Sequence, residues 1–272
     1  MKLYFPVPAD AEGALLRSFL RRCAVSTELA RAVKFHGSGF FADGAPILAN
    51  RRVQAGQTIS FELPADGEGV APQPEIAVHV VYEDAFALVL EKPPHLALHP
   101  TLNFPLGTLA NGYAAPLLAR NVEKLYCAIV EGELPLGPGV IDAPIGRQEG
   151  SIIGRCVTPA GKPSRTEYTI LKAENGLSLA ACVPVTGRTH QIRVHFASLG
   201  HPLAGDDLYG GSRERIGRQA LHCAEQTFCI PACTKTADGV VIDVTAPARK
   251  MTVKSPLPAD MVALLDGNLE FS

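Results

Sequence analysis

The sequence contains no apolar run approaching the ~18–20 residues that a membrane-spanning helix needs. Its opening stretch, MKLYFPVPADAEG, also lacks the continuous apolar core of a secretory signal. Neither a spanning nor an exported protein is expected, and the chain reads as cytoplasmic. CxxC pairing is missing too. Seven cysteines stand at 23, 127, 156, 182, 223, 229 and 233, and His222 lies beside the last three. Gaps of five and three residues within that group, with no second cluster, do not match structural zinc. Reduced thiols in a reducing compartment are expected, with no metal. Charge of one sign is scarce as well, since the net value is −2 and does not by itself announce a polyanionic partner. Internal repeats and low-complexity tracts are absent.

What is present is a chain of 272 residues with 47% hydrophobic and 19% charged residues, enough for a real core in one large domain, with or without a small one. The charge is unevenly spread: residues 1–64 hold eight Lys/Arg against five Asp/Glu, and the remainder is acidic. A basic small module on an acidic larger one fits delegated nucleic-acid contact, and equally a plain solvated surface. In EGALLRSFLRR (12–22), Leu15, Leu16, Phe19 and Leu20 recur at helical spacing, with Arg17 and Arg21 on another face. Ser26 is placed to cap a second helix that Gly37 and Gly39 end. FFADGAPI then carries a hairpin signal at Asp43-Gly44. PADGEGVAPQPE has the composition of a linker, assigned to 65–75. From 76 to 272 many short apolar strands follow, including KLYCAIVEGEL, RTEYTILKAE and LSLAACVPVTG. Helices are expected only near 105–120, 190–199 and 257–266. Few helices without regular βαβ alternation predict an α+β domain on a mixed, largely antiparallel sheet.

GRTHQIRVH (187–195), followed by GHPLAGDDLYGG, ALH at 220–222 and SPLPADM at 255–261, resembles the RluA type of RNA pseudouridine synthase. So do Lys92-Pro93, His99-Pro100 and EKLYCAIVEG, in the same order along the chain; at 95 a His stands where the family has Gly. Two helices and a hairpin ending V-x-x-G-x-x-I over 1–64 are similar to the small αL RNA-binding domain. The resemblance implies a pseudouridine synthase sheet over 76–272 and RNA, either rRNA or tRNA, as partner. It implies no cofactor, and a monomer is expected. It places the ring of Tyr126 against a base flipped from its stack, and Arg193 in an ion pair with the catalytic aspartate. For RNA contact the residues are Arg17 and Arg21 on the first helix, with Arg188, Thr189 and Gln191. Thr189 is expected to cap the following helix, whose free N–H groups would attract phosphate together with the forked Arg188.

The family's reaction turns uridine into pseudouridine: the N-glycosidic bond breaks, the base rotates, and it rejoins through carbon 5. One aspartate, in an HRLDxxTSG segment, begins that sequence. No HRLD or TSG occurs in this chain; GTLANGYAAPLLAR runs directly into NVEKLYCAIVEG, so an internal deletion is read near 120–121. Asp84, Asp142, Asp206 and Asp207 have no sequence context that would bring them to Arg193, which is expected to turn to water or RNA phosphate. Three readings stay open: an active RNA uridine isomerase, a non-catalytic RNA-binding homologue, and an internally deleted form of an active synthase.

Overall fold

The computed structural model describes residues 1–63, 73, 75–84, 87–94, 96–98, 108–109 and 123–265. Most of the linker expected at 65–75 and of the helix expected at 105–120 lies outside the described residues. So do His95, His99-Pro100 and the junction at Arg120–Asn121. Two compact units form: Met1–Arg120 with Cys229–Met251, and Asn121–Phe228 with Thr252–Ser272.

In the first unit, β1 (Lys2–Pro6) leads to α1 (Leu16–Arg22) and α2 (Thr27–His36), then β2 (Phe40–Ala42), β3 (Ala45–Ile47) and β4 (Thr58–Glu62). The Ser26 hydroxyl accepts the Leu29 N–H at 3.1 Å, so the cap is where the sequence placed it. Asp43 (φ 49°) and Gly44 (φ 82°) make the tight turn between β2 and β3. Leu16, Phe19 and Leu20 of α1 and Val33 of α2 bury against Phe5, Val53, Ile59 and Phe61, a core that draws in Ile242 and Val244 from far along the chain. Burial of this kind contributes roughly 1.5–3 kcal/mol for each large apolar side chain. Arg17, Arg21, Arg31 and Lys34 stay exposed on the helices. The chain continues into the paired strands β5 (His79–Glu83) and β6 (Leu88–Glu91).

The second unit is built on β7 (Glu123–Glu131), β8 (Gly137–Asp142), β9 (Ile145–Arg147), β10 (Arg155–Val157), β11 (Arg165–Glu174) and β12 (Leu177–Pro184). After them come α3 (Gln191–Ser198), β13 (Leu221–Ile230), β16 (Arg249–Lys254) and α4 (Ala259–Ala263), while β14 (Ala232–Lys235) and β15 (Val240–Asp243) fall in the first unit. The main sheet has the order β16-β13-β7-β12-β11-β8, and β9 pairs with β10 as a separate antiparallel ribbon. Central β7 is buried along Cys127–Val130, and its two faces are covered differently. Cys127 and Ile129 pack with Met261 and Leu265 on one side, Ala128 and Val130 with Ile192 and Phe196 of α3 on the other. Period-two burial on a sheet covered on both faces is what the alternating apolar texture calls for. The architecture is the α+β, largely antiparallel one expected.

Two strands depart from the expected division at 64 and 76. β15 pairs in parallel with β1, Leu3 opposite Val240, and β14 pairs with β15, so residues from the C-terminal third complete the first sheet. A strand edge accepts any chain of suitable register, and local composition carries no trace of that choice.

Candidate functional site

The site is assembled on α3 and the turn that follows it. Gly205 has φ +76°, and a Cβ there would lie 2.0 Å from the Arg218 carbonyl oxygen, so only glycine fits. The turn it allows brings Asp206 beneath α3. Arg193 donates from Nε to Asp206 Oδ2 at 2.7 Å and from Nη2 to Oδ1 at 2.6 Å, the fork geometry that suits guanidinium and carboxylate. Asp206 is 1% exposed and Arg193 14%. The expectation that Arg193 turns to water or phosphate, with no carboxylate in reach, is therefore overturned. Sequence spacing hid the pairing because a left-handed glycine turn folds the thirteenth residue after Arg193 back onto its helix.

Tyr209 closes over the pair, its ring centroid 4.9 Å from the Arg193 guanidinium carbon. Its hydroxyl accepts the Arg155 N–H at 3.1 Å and is hydrogen-bonded to His190 Nδ1 at 2.7 Å. Burial first, then Arg193 and Arg155, hold the His190 pKa below the ordinary value. Its backbone is left-handed, φ 57°, which costs an L-residue on the order of 1 kcal/mol. The surrounding bonds hold it there. Sequence reasoning named neither Tyr209 nor His190 as part of the site. The signal available was the DDLYGG string, with a tyrosine three residues after Asp206.

Two other expectations are corrected. The residue at the start of α3 is His190, and no side chain caps the helix; Thr189 is exposed one position earlier. Gln191 does not face solvent. It is 4% exposed, its Nε2 donates to the Arg165 carbonyl and Thr166 Oγ1, and its Oε1 accepts from Thr186 Oγ1 and the Arg188 N–H. With all four of its bonds made internally, it fastens the Gly187–Thr189 turn to β11. His195 does similar work: Nε2 donates to the Ala143 carbonyl at 3.0 Å, and Nδ1 accepts from Thr166 Oγ1 at 2.8 Å. Burial lowers its pKa, so it is neutral in the fold. Half of the GRTHQIRVH string thus builds the scaffold.

A testable consequence is acid sensitivity. His190 and His195 bind protons less readily folded than unfolded, where the ordinary value is 6.5. Their contribution to stability is complete above that value and is lost as pH falls through it toward the lower folded pKa. Thermal unfolding followed by circular dichroism should show the melting temperature falling as pH drops from about 7.5 to about 5.5. His195→Gln should flatten that fall.

Arg188 is exposed, with Nε donating to the Pro163 carbonyl at 3.2 Å. Tyr126 lies on β7 opposite Cys182 and Cys223, partly buried against the cluster that holds Ile192 and Phe196. Burial pushes its hydroxyl up to about 12, with Cys223 adding to the shift, so it is a neutral phenol. Among the described residues no group of three or more His, Cys, Asp and Glu side chains is arranged to hold a metal ion. Burial likewise raises the Cys223 and Cys233 thiols, and no helix among the described residues is long and apolar enough to cross a membrane.

Comparison with known proteins is consistent across this region. Residues 107–198 match the model of the RNA pseudouridylate synthase family. An uncharacterised RNA pseudouridine synthase of Bacillus subtilis, YjbO, is 30% identical over 293 residues, covering 93% of this chain and 98% of its own length. A second from Bacillus subtilis, YhcT, is 32% identical, covering 79% of this chain and 80% of itself. Ribosomal large subunit pseudouridine synthase D of Pseudomonas aeruginosa is 32% identical, covering 82% of each chain. With those similarities spread over almost the whole length, and the motifs in family order around the Arg193 turn, the chain belongs to the RNA pseudouridine synthase family.

Proposed function

We propose that this protein holds a uridine of ribosomal or transfer RNA in the manner of a pseudouridine synthase, and that the 272-residue chain grips the RNA without supplying the nucleophile for isomerisation. The observation that carries this reading is the closed pair. Both oxygens of Asp206 are engaged by Arg193, and the carboxylate is 1% exposed. A nucleophile must reach carbon of the substrate, and this carboxylate is turned inward. No HRLD segment exists elsewhere in the sequence to replace it. The alignment with the first Bacillus relative runs over 293 positions, longer than the 272-residue chain itself, which supports a missing internal segment. A relative named for the ribosomal large subunit favours ribosomal RNA as the partner.

The grip rests on Arg17 and Arg21, exposed on α1, and on Arg188 and Thr189 at the start of α3. Tyr126 offers a neutral aromatic ring for a base removed from its stack. The protein is proposed to be cytoplasmic and to act as a monomer, with no cofactor. Binding of a labelled ribosomal RNA fragment should weaken steeply with salt. Arg17→Ala, Arg21→Ala and Arg188→Ala together should lower affinity by about 10²-fold and reduce the salt slope by about two to three. Unchanged affinity in filter binding at several salt concentrations would remove the reading.

A further inference from the structure

We propose that Cys223 is a positioning residue for base binding: its sulfur takes the Tyr126 hydroxyl and so aims the Tyr126 ring, leaving the ring face for the base. This rests on the reading above in which Tyr126 receives a base, and deepens it by naming the group that orients the ring.

The sheet brings the two side chains together from distant parts of the chain. Cys223 on β13 stands directly across from Tyr126 on β7, and Cys182 on β12 stands across from it on the other side. Side chains opposed in this way share a face of the sheet, with Cβ atoms roughly 4.5–5.5 Å apart. That face is the one toward α3, since Tyr126 and Cys182 pack in the cluster of Ile192 and Phe196, and Leu221, two residues before Cys223, joins it. Strand alternation sends His222 the other way, where its Nε2 donates to the Ser255 carbonyl at 3.2 Å.

An irregularity in β13 then fixes the sulfur. The pairing with β7 slips between Cys223 and Glu225, so Ala224 faces no residue of the neighbouring strand. Such a bulge re-aims the side chains beside it. Here it sets the Glu225 carbonyl 3.7 Å from Cys223 Sγ, which donates its proton to it, and the Gln226 amide Nε2 donates to the sulfur at 3.5 Å. With the thiol proton engaged by Glu225, the sulfur accepts the Tyr126 hydroxyl, the side-chain bond that joins the two residues. Burial raises the Cys223 thiol and favours the neutral S–H over a nucleophilic thiolate. The thiol therefore acts as a hydrogen-bonding group.

What this does for a bound base follows from which part of the phenol is left over. The hydroxyl is taken up inside the protein, so the ring face is what remains for stacking. A tyrosine ring turns about two side-chain torsions, and a bond at its far end restricts both before any base arrives. Cys182, fully buried, packs in the same cluster as the ring and makes no claim on its hydroxyl.

The test is fluorescence anisotropy of the full chain with a short fluorescein-labelled oligouridylate, and with an abasic oligomer of the same length and charge. The wild-type chain should hold the oligouridylate about five- to a hundredfold more tightly, as expected for stacking one base. Cys223→Ala should lower oligouridylate affinity about three- to tenfold, in the range of one ordinary hydrogen bond, and leave abasic binding and the salt slope unchanged. Tyr126→Phe should have the same effect, and the double variant no more than either, because both remove one bond. Cys223→Ser, whose hydroxyl also accepts, should recover most of the loss; should Cys223→Ala fail to fold by circular dichroism, Cys223→Ser set against Tyr126→Phe carries the same comparison. Wild-type affinity in Cys223→Ala, losses that add in the double variant, or an equal loss on the abasic oligomer would each overturn the positioning role and leave the arginine grip standing. So would equal binding of the two oligomers by the wild-type chain, which would remove the base contact at Tyr126. Failure of the wild-type chain to bind either oligomer would overturn the RNA-holding reading and this one with it.

Discussion

Replacing Asp206 with alanine is expected to destabilise the second unit by about 3–5 kcal/mol, among the largest effects of any single substitution in this protein. The cause lies in what stays behind. Arg193 is 14% exposed on a helix whose neighbours Ile192, Val194 and Phe196 are buried. A guanidinium left there keeps its desolvation cost and loses the carboxylate that offsets it. Tyr209 alone, worth about 0.5–2 kcal/mol as a cation–π partner, does not make up the difference. Removing both charges, as Arg193→Met with Asp206→Leu, should restore most of the loss, because the buried pair itself contributes little net stability. Urea unfolding followed by circular dichroism checks both: the single variant should unfold at much lower urea, the double close to wild type. A single variant as stable as wild type would mean the pair is open to solvent.

The second large effect concerns the chemistry. Incubated with RNA carrying 5-tritiated uridine, the chain should release no tritium above background, since no aspartate stands in an HRLD context to start glycosidic bond cleavage. Inserting the HRLDxxTSG segment that the family resemblance implies between Arg120 and Asn121 should restore release, with a gain of about 10⁶-fold or more over the uncatalysed rate. Changing the inserted aspartate to asparagine should abolish the gain again. Tritium release from the unmodified chain would sink the proposal; Asp206→Asn in that chain would then show whether the inward carboxylate is the source. The insertion also carries a structural expectation: the newcomer and Asp206 would both compete for the fork of Arg193, as two carboxylates facing one cation.

Several features are legible in the sequence alone. The apolar spacing of Leu16, Phe19 and Leu20, the Ser26 cap and the Asp43-Gly44 turn are local devices, and each acts as expected because its physics spans only a few residues. Family order of motifs identified the synthase architecture. What failed were the directions assigned to Thr189, Gln191 and Arg193 in GRTHQIRVH. Gln191 and His195 are spent on Thr166, Arg165 and Ala143, and Thr189 caps nothing. An amphipathic helix pattern says which residues share a face, not whether that face meets solvent or a strand.

The residues around Arg193 mark the boundary between the two kinds of information. Sequence alone determined the helix that carries it and membership in the synthase family, because chain-local geometry and motif order are written in residue identity. Only the tertiary structure decided that Asp206 is the carboxylate under Arg193, that Tyr209 covers it, and that β15 from the C-terminal third completes the first sheet. Those outcomes depend on which distant surfaces meet, and a contact between residues far apart in sequence leaves no periodicity or cap to read.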